Sequence, residues 1–420
     1  DGNFELKGVK LPVQLAFSYL GFETQRVIMT SNSFQNITLK EKASEIGEVV
    51  VTAWGREKKT TMVGSVSSVD PAELKGPTSN LTTMLAGRVA GLISYQLSGE
   101  PGRDNAQFFV RGIGKFGSGQ SNPLILINGI ESTSTDLARI QPDDIQGFSV
   151  LKDATATSMY GTRGANGVLL ITTKSGNIGL TKFNVRYEAS VSSNAKDYNL
   201  ADNITYMELA NEASMTRDPL AGRLYSPYKI EKTRQGANPL LFPNNDWREL
   251  MIKDNTWNHR VNVNVSGGTE RARYYLSGTY KIDNGVLKEN KLNDFNTNVR
   301  SSTIEVRSNI ELTLTKTTEA SVRVSGLFDA LHGPSVGSGS NVFKSMLKAQ
   351  PVAFPAVYPQ SFMPWVKHPL FGNANMSGSE SQSDYYYNPY ASALSGYSED
   401  NSSGITAQIE LHQDFNFIIP

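Results

Sequence analysis

Ile405-Thr406-Ala407-Gln408-Ile409-Glu410-Leu411-His412 alternates apolar and polar side chains without a break, and Phe415 and Phe417 carry the same parity onward. A period of two marks a strand with one greasy and one wet face. Its length is the informative part. Globular strands usually run about five or six residues, whereas about 9–11 are needed to cross a bilayer at a tilt. The pattern recurs upstream. Val261, Val263 and Val265 alternate with Asn262 and Asn264; Ile304, Val306, Ile310, Leu312 and Leu314 share one parity; Val322 and Val324 alternate with Ser321, Arg323 and Ser325. These runs predict strands near 182–194, 256–266, 270–282, 300–314, 319–329 and 404–418. The links between them run long, short, long, short, long, with Gly267-Gly268-Thr269 and Thr315-Lys316-Thr317-Thr318 as the tight turns. A soluble sandwich has no reason to gather every short turn at one end, but a transmembrane barrel does. Trp257, Tyr280, Phe328, Phe415 and Phe417, near strand ends, suit interfacial girdles or the ordinary preference of strands for aromatics.

Composition sets the outer limits. A chain of 420 residues is too long for one ordinary domain. Lys+Arg and Asp+Glu are equal at 40 each, so no bulk charge points to nucleic acid. Cysteine is absent, which excludes disulfides, thiol nucleophiles and thiolate metal sites. No apolar run is long enough for a transmembrane helix. Asp1 already lies inside patterned sequence, so the start reads as a processed or truncated end.

Ahead of the long strands the pattern mixes both periods. Residues 1–40 read as strands with turns, over Phe17–Gln25 and Gln35–Leu39, and have too few apolar anchors to stand alone. They suit the later half of a small β-domain. A charged stretch, 41–59, follows, and within it Glu48-Val49-Val50-Val51-Thr52-Ala53 is a valine-rich strand in a poor setting for a core. Such a segment suits docking onto another protein by strand addition, or the last strand of the preceding domain. Residues 60–176 read as a compact α+β domain. Leu81, Met84, Leu85 and Val89 recur at helical spacing; Gln107–Arg111, Leu124–Ile127, Gly147–Leu151 and Val168–Thr173 read as strands. A helix start is expected at Pro142-Asp143-Asp144, and a short helix capped by Asp153 and ended by Gly161.

Several motifs in this domain resemble the plug of SusC-like TonB-dependent transporters. They are Gly87-Arg88-Val89-Ala90-Gly91-Leu92, Val110-Arg111-Gly112, Pro123 through Asn128-Gly129, and Val150-Leu151-Lys152-Asp153. The long stretch Tyr160-Gly161-Thr162-Arg163-Gly164-Ala165-Asn166-Gly167-Val168 joins them. The resemblance implies a fold class: an α+β plug followed by antiparallel transmembrane β-barrel strands, behind a truncated carboxypeptidase-regulatory-like β-domain. It places the TonB box at Glu48, Val49, Val50, Val51, Thr52 and Ala53, and the barrel at 177–420. Family barrels have 22 strands, and an open six-stranded wall cannot span lipid alone, so the chain is read as a piece of a longer protein.

What the resemblance implies for function is TonB-dependent active import of oligosaccharides or other nutrients, peptides included, across the outer membrane of a Gram-negative bacterium. The implied partners are TonB with ExbB and ExbD, driven by the proton gradient, and a SusD-like surface lipoprotein. No nucleic acid, cofactor or metal is implied. Two other readings stay open: an outer-membrane receptor that signals without importing, and a soluble β-rich adhesin. Phe116 in the plug loop, and Trp365 and Tyr385-Tyr386-Tyr387 in the long link, are candidate substrate contacts, since aromatic faces suit sugar rings or peptides. The same aromatics also suit a long loop that must anchor itself. Gly112-Ile113-Gly114-Lys115-Phe116-Gly117 matches a dinucleotide fingerprint but leads to another strand, not a helix. His259, His332, His368 and His412 lack metal-ligand spacing, and no nucleophile elbow is present, so catalysis is not expected.

Overall fold

The computed structural model describes residues 12–17, 25–30, 36–38, 49–52, 55–58, 66–76, 78–112, 122–153, 157–196, 198–375 and 385–415. The chain forms two compact units, 1–63 and 64–420. In the first, β1 (Val13–Phe17) pairs antiparallel with β2 (Gln25–Met29), and β3 (Val49–Thr52) with β4 (Gly55–Lys58). The strand expected over 17–25 therefore has its ends on two arms of a hairpin, and the residues between lie outside the described residues. Asn36–Thr38, expected in a strand, is not in one.

The second unit opens with the α+β domain. Its elements are β5 (Val66–Val69), α1 (Leu81–Met84), β6 (Leu92–Gln96), β7 (Ala106–Val110), β8 (Leu124–Ile127), β9 (Ile130–Ser132), α2 (Ser134–Arg139), β10 (Ile145–Leu151) and β11 (Val168–Thr173). Five of the strands make one sheet in the order β5-β10-β11-β8-β9, and β6-β7 forms a separate hairpin. Leu81, Leu85, Leu137, Ile145, Phe148, Val150 and Leu169 fill the core, the apolar content that lets a domain of this size fold. Two expectations shift here. The helical spacing over 81–89 gives only α1, because Gly87 takes φ +72° and turns the chain. Pro142–Asp144 is a single 3-10 turn that runs straight into β10. The helical stretch Ser158–Gly164 starts after Thr157 with no side-chain cap, not at the expected Asp153, and breaks at Gly161 (φ +58°), which ends its first piece as expected.

Six long strands follow: β12 (Gly179–Ser193), β13 (Asn255–Gly268), β14 (Ala272–Asn284), β15 (Arg300–Thr313), β16 (Thr318–Pro334) and, last in the chain, β19 (Tyr397–Gln413). They form one antiparallel sheet in the order β12-β13-β14-β15-β16-β19, each neighbour in register along nearly its full length. No described helix is long and apolar enough to cross a membrane. The polarity of this wall is reversed from that of a soluble sheet. Phe183, Val185, Tyr187, Trp257, Tyr280, Ile304, Val306, Phe328 and Ile409 face outward and are exposed, while Asn262, Thr279, Thr303, Glu305 and Asn309 face the α+β domain and are buried. An outward band of this kind is what lipid contact requires.

The long links carry their own structure at one end of the wall. Between β12 and β13 lie α3 (Asn203–Arg217), α4 (Pro227–Arg234) and α5 (Trp247–Met251). Between β16 and β19 lie α6 (Gly339–Lys348), the short pair β17 (Val357–Tyr358) and β18 (Leu370–Phe371), and α7 (Pro389–Ala393). Trp247, Met251, Val342, Met346, Phe354 and Ala393 form a second core, with Phe343, Tyr386 and Tyr390 packed against it.

Candidate functional site

The site is built at the seam between the α+β domain and the inner face of the wall. Charged side chains at inward parity meet charged side chains of the domain. Arg186 on β12 reaches Asp143 at 2.7 Å, and Lys75 reaches the same carboxylate at 2.6 Å. Burial works against the Asp143 carboxylate, but the hydrogen bonds and charges of Lys75 and Arg186 prevail and hold it below the usual carboxylate range. Arg260 on β13 pairs with Glu188 and donates to the carbonyl of Thr78 at 3.1 Å. Arg139 on α2 pairs with Asp329 at 3.0 Å.

The deepest group is a trio. Asp144, fully buried, accepts from the Tyr275 hydroxyl at 2.7 Å; Arg307 lies 4.0 Å from it and 2.7 Å from Glu305. Two carboxylates share one guanidinium, and Asp144 Oδ2, Glu305 Oε2 and Arg307 Nε have no hydrogen-bond partner among the described residues. Burial first, and Glu305 second, push the Asp144 carboxyl up to about 6, against the pull of Arg307. The seated state thus binds a proton that the unfolded chain releases near 3.8. That contribution is full below the lower value and is lost as pH rises through the higher one. Hydrogen-exchange protection of β10 and β11 is expected to fall between pH 4 and pH 6.5, by on the order of 2 kcal/mol. Asp144→Asn is expected to remove that part of the pH dependence; a variant with the wild-type slope overturns the assignment.

Above the seam, on the side of the long links, lies a cavity of about 870 Å³. The loop between β6 and β7 forms its floor, from Gln96 to Pro101 and at Asp104. Its walls come from the upper ends of β12, β13 and β14, with Asn194, Asn258 and Asp283, and from α6, with Phe343 and Lys344. The lining mixes amides and hydroxyls with the rings of Tyr198 and Phe343, which lie 6.0 Å apart. Such a surface can hold a polar, uncharged chain through hydrogen bonds and ring contacts.

The residues singled out in the sequence fall into distinct places. Glu48 and Ala53 lie outside the described residues, and Val49–Thr52 is β3, with Val50 opposite Glu57 and Val51 opposite Arg56. Several of the plug-motif residues hold the domain's own chain in place. Lys152 bonds the Ser67 hydroxyl of β5, its ammonium pKa lowered by burial and then by the charge of Arg111. Arg88 donates to the carbonyls of Glu73 and Lys75, and Arg163 pairs with Glu131. Asn128, at φ +52°, exchanges hydrogen bonds of 2.9 Å with Thr173, tying β8 to the end of β11. Arg111 and Gly112 also take positive φ, and the Arg111 N–H donates to the Gly91 carbonyl at 2.9 Å. Gly167 sits at φ +90°, where a Cβ would come within 2.8 Å of Val110, so only glycine fits. Gly87, Gly91, Gly129 and Gly161 take positive φ and turn the same chain, an added Cβ at Gly164 would come within 2.8 Å of the Thr157 carbonyl, and the Asp153 carbonyl accepts from the Thr157 N–H at 2.9 Å.

Phe116 lies outside the described residues. Trp365 and Tyr385 to Tyr387 do not line the cavity: Trp365 is exposed, Tyr386 packs on the link core, and Tyr387 bonds Ser392. His259 stacks on Tyr187 of the outer face and His332 on Tyr397, so the histidines are dispersed. Sequence reading assigned Asp144 only to a helix start and passed over Glu100, Glu305 and Arg307. Charge at inward parity on a greasy strand was the available signal for the last two.

An α+β domain seated against the polar inner face of outward-greasy antiparallel strands defines a plugged-barrel class of protein. The TonB-dependent Receptor Plug Domain family model matches residues 58–168. The chain is 31% identical over 353 residues to TonB-dependent receptor P39 of Formosa agariphila, covering 84% of this chain and 31% of that protein. It is 33% identical over 310 residues to TonB-dependent receptor SusC of Bacteroides thetaiotaomicron, covering 71% and 28%. Among solved structures, the RagAB peptide importer in its open-open state shares the fold with a TM-score of 0.65 at 21% identity, over 87% of this chain and 41% of that one. Over most of its length the chain is thus similar to SusC-like TonB-dependent receptors, and residues 58–168 match their plug domain. It spans about a third of the length of the curated relatives it matches.

Proposed function

We propose that the full-length protein imports a nutrient across the outer membrane, with TonB pairing to residues 48–53 and pulling the plug from its seat. In this reading residues 1–40 end a front domain, 41–59 are the tether, 60–176 the plug, and 177–420 the first wall strands and outer loops. The carrying observation is the combination of a polar seam with a cavity on its loop side, because a plug that must move needs a releasable contact and a ligand needs a place above it. The chain order supports the pull. The tether leads into β5, which among the described residues is an edge strand paired with β10 alone, over Val66 to Val69. Force therefore meets four residue pairs, the Lys152–Ser67 contact and the Arg88 clamp before it meets the core.

The substrate class is oligosaccharide or peptide, in keeping with the amide and aromatic lining; one solved structure that shares the fold is a peptide importer. A SusD-like lipoprotein would close the outer face, and ExbB and ExbD would supply TonB with energy from the proton gradient. Deleting the gene is expected to abolish growth on the imported oligosaccharide or peptide as sole carbon source, and deleting TonB is expected to do the same. A deletion strain that grows normally but misregulates its nutrient genes would instead mark a sensor.

A further inference from the structure

The plug domain and the outer link between β16 and β19 meet at a contact unlike the rest of the seam. Glu100, on the β6–β7 loop at the cavity floor, points both carboxylate oxygens at the start of α6. Oε1 accepts from the Gly339 N–H at 2.9 Å; Oε2 accepts from the Ser340 N–H at 3.0 Å and the Ser340 hydroxyl at 2.9 Å. The next two donors of the helix are satisfied within the link: Asn341 N–H by the Ser338 hydroxyl at 3.1 Å, and Val342 N–H by the Ser338 carbonyl at 3.3 Å. Every first-turn donor is thus accounted for, and the plug supplies half of the cap. A carboxylate at a helix N-terminus gains from both its charge and the helix dipole.

The loop is built to hold Glu100 there. Ser98 accepts the Glu100 N–H at 3.1 Å, and Gly102, at φ +77°, lies so close to Leu331 of β16 that a Cβ would come within 2.8 Å of its methyl. The cavity is bounded by both partners of this contact, Gln96 to Pro101 on one side and Gly339 to Leu347 on the other. We propose that Glu100 is a positioning residue that joins α6 to the plug's apex, so that an occupant touching the helix shifts the plug loop with it. This rests on the transport reading for its purpose, and on the three hydrogen bonds for its existence. Linkage then works both ways: whatever loosens α6 loosens 97–105, and the reverse.

The test is hydrogen exchange on the full-length protein in detergent micelles, which requires neither substrate nor TonB and so is independent of any uptake result. Ser340→Pro removes an N–H and the hydroxyl in a first turn that tolerates proline. It is expected to speed exchange about 10-fold in the plug segment 97–105, remote in sequence from the substitution. Glu100→Ala is expected to speed exchange in 339–348 to a similar degree, and Glu100→Gln, which keeps an acceptor oxygen, to fall between. Helix α3 should be unchanged in all three. Unaltered exchange of 97–105 in Ser340→Pro overturns the proposal. If Glu100→Ala fails to assemble, Ser340→Pro and Glu100→Gln still decide it.

Discussion

Uptake by the full-length protein carrying Val50→Pro with Val51→Pro is expected to fall to the level of cells that lack TonB. Strand addition works through backbone N–H and C=O groups on one edge, and successive N–H groups of a strand point to opposite edges. Two adjacent prolines therefore delete a donor from each edge, whichever edge TonB uses. One edge of β3 is already engaged, since Val49–Thr52 pairs with Gly55–Lys58. TonB must then add at the other edge or displace β4, and the double substitution defeats both. A strand of four residues has so few ladder bonds that losing two leaves little to pull on. Val50→Ala with Val51→Ala keeps every donor and is expected to keep uptake, which separates backbone pairing from side-chain recognition. The wall strands lie elsewhere in the chain, so barrel insertion should be normal in both variants, checked by surface protease accessibility. Full uptake by the proline variant would remove residues 48–53 from the energy-coupling step.

The wall was legible because crossing lipid carries the period-two alternation of a strand well beyond globular lengths. Ile304, Val306, Val322, Val324, Ile405 and Ile409 all announce the outward face, and the sheet keeps each of them there. Strand ends were less so. The ladder of β16 and β19 continues to Pro334 opposite Tyr397, beyond the expected 329 and 404. There the sequence reads Tyr397-Ser398-Glu399-Asp400-Asn401-Ser402-Ser403, and a ribbon wet on both faces carries no apolar alternation. The plug strands Leu124–Ile127 and Val168–Thr173 were read to the residue, being short apolar runs of a buried sheet. The cavity was not legible at all. Its lining comes from the β6–β7 loop, three strand ends and α6, which only the tertiary fold brings together. The aromatics of the long link show the same limit, because Phe354 and Tyr386 bury themselves in the link's own core and Trp365 does not.

Arg307→Ala is expected to destabilise plug seating by about 3–5 kcal/mol, read as lost exchange protection in β10 and β11 of the full-length protein. The reason is what remains. Glu305 and Asp144 stay buried without the guanidinium they share, and neutral hydroxyls such as that of Tyr275 at 2.7 Å do not replace its charge. Removing the whole trio is a different matter. Asp144→Asn with Glu305→Leu and Arg307→Leu keeps an acceptor for Tyr275 and discards the desolvated charges, and is expected to recover most of the loss or to exceed wild type. This contrast bears on why the seam is polar. An apolar seam would hold the plug by about 25 cal/mol for each Å² buried, and unseating would expose all of it to water. Asn262, Thr279, Thr303, Glu305 and Asn309 are instead groups that water solvates well, so the contact is specific in place but inexpensive to open. The plug's interior, with Leu81, Leu137, Phe148 and Val150, is apolar; under the proposed pulling mechanism it would stay together while the seam parts. The triple variant should accordingly seat more firmly and import more slowly. If Arg307→Ala costs less than about 1 kcal/mol, the trio is solvated in place and does not govern release.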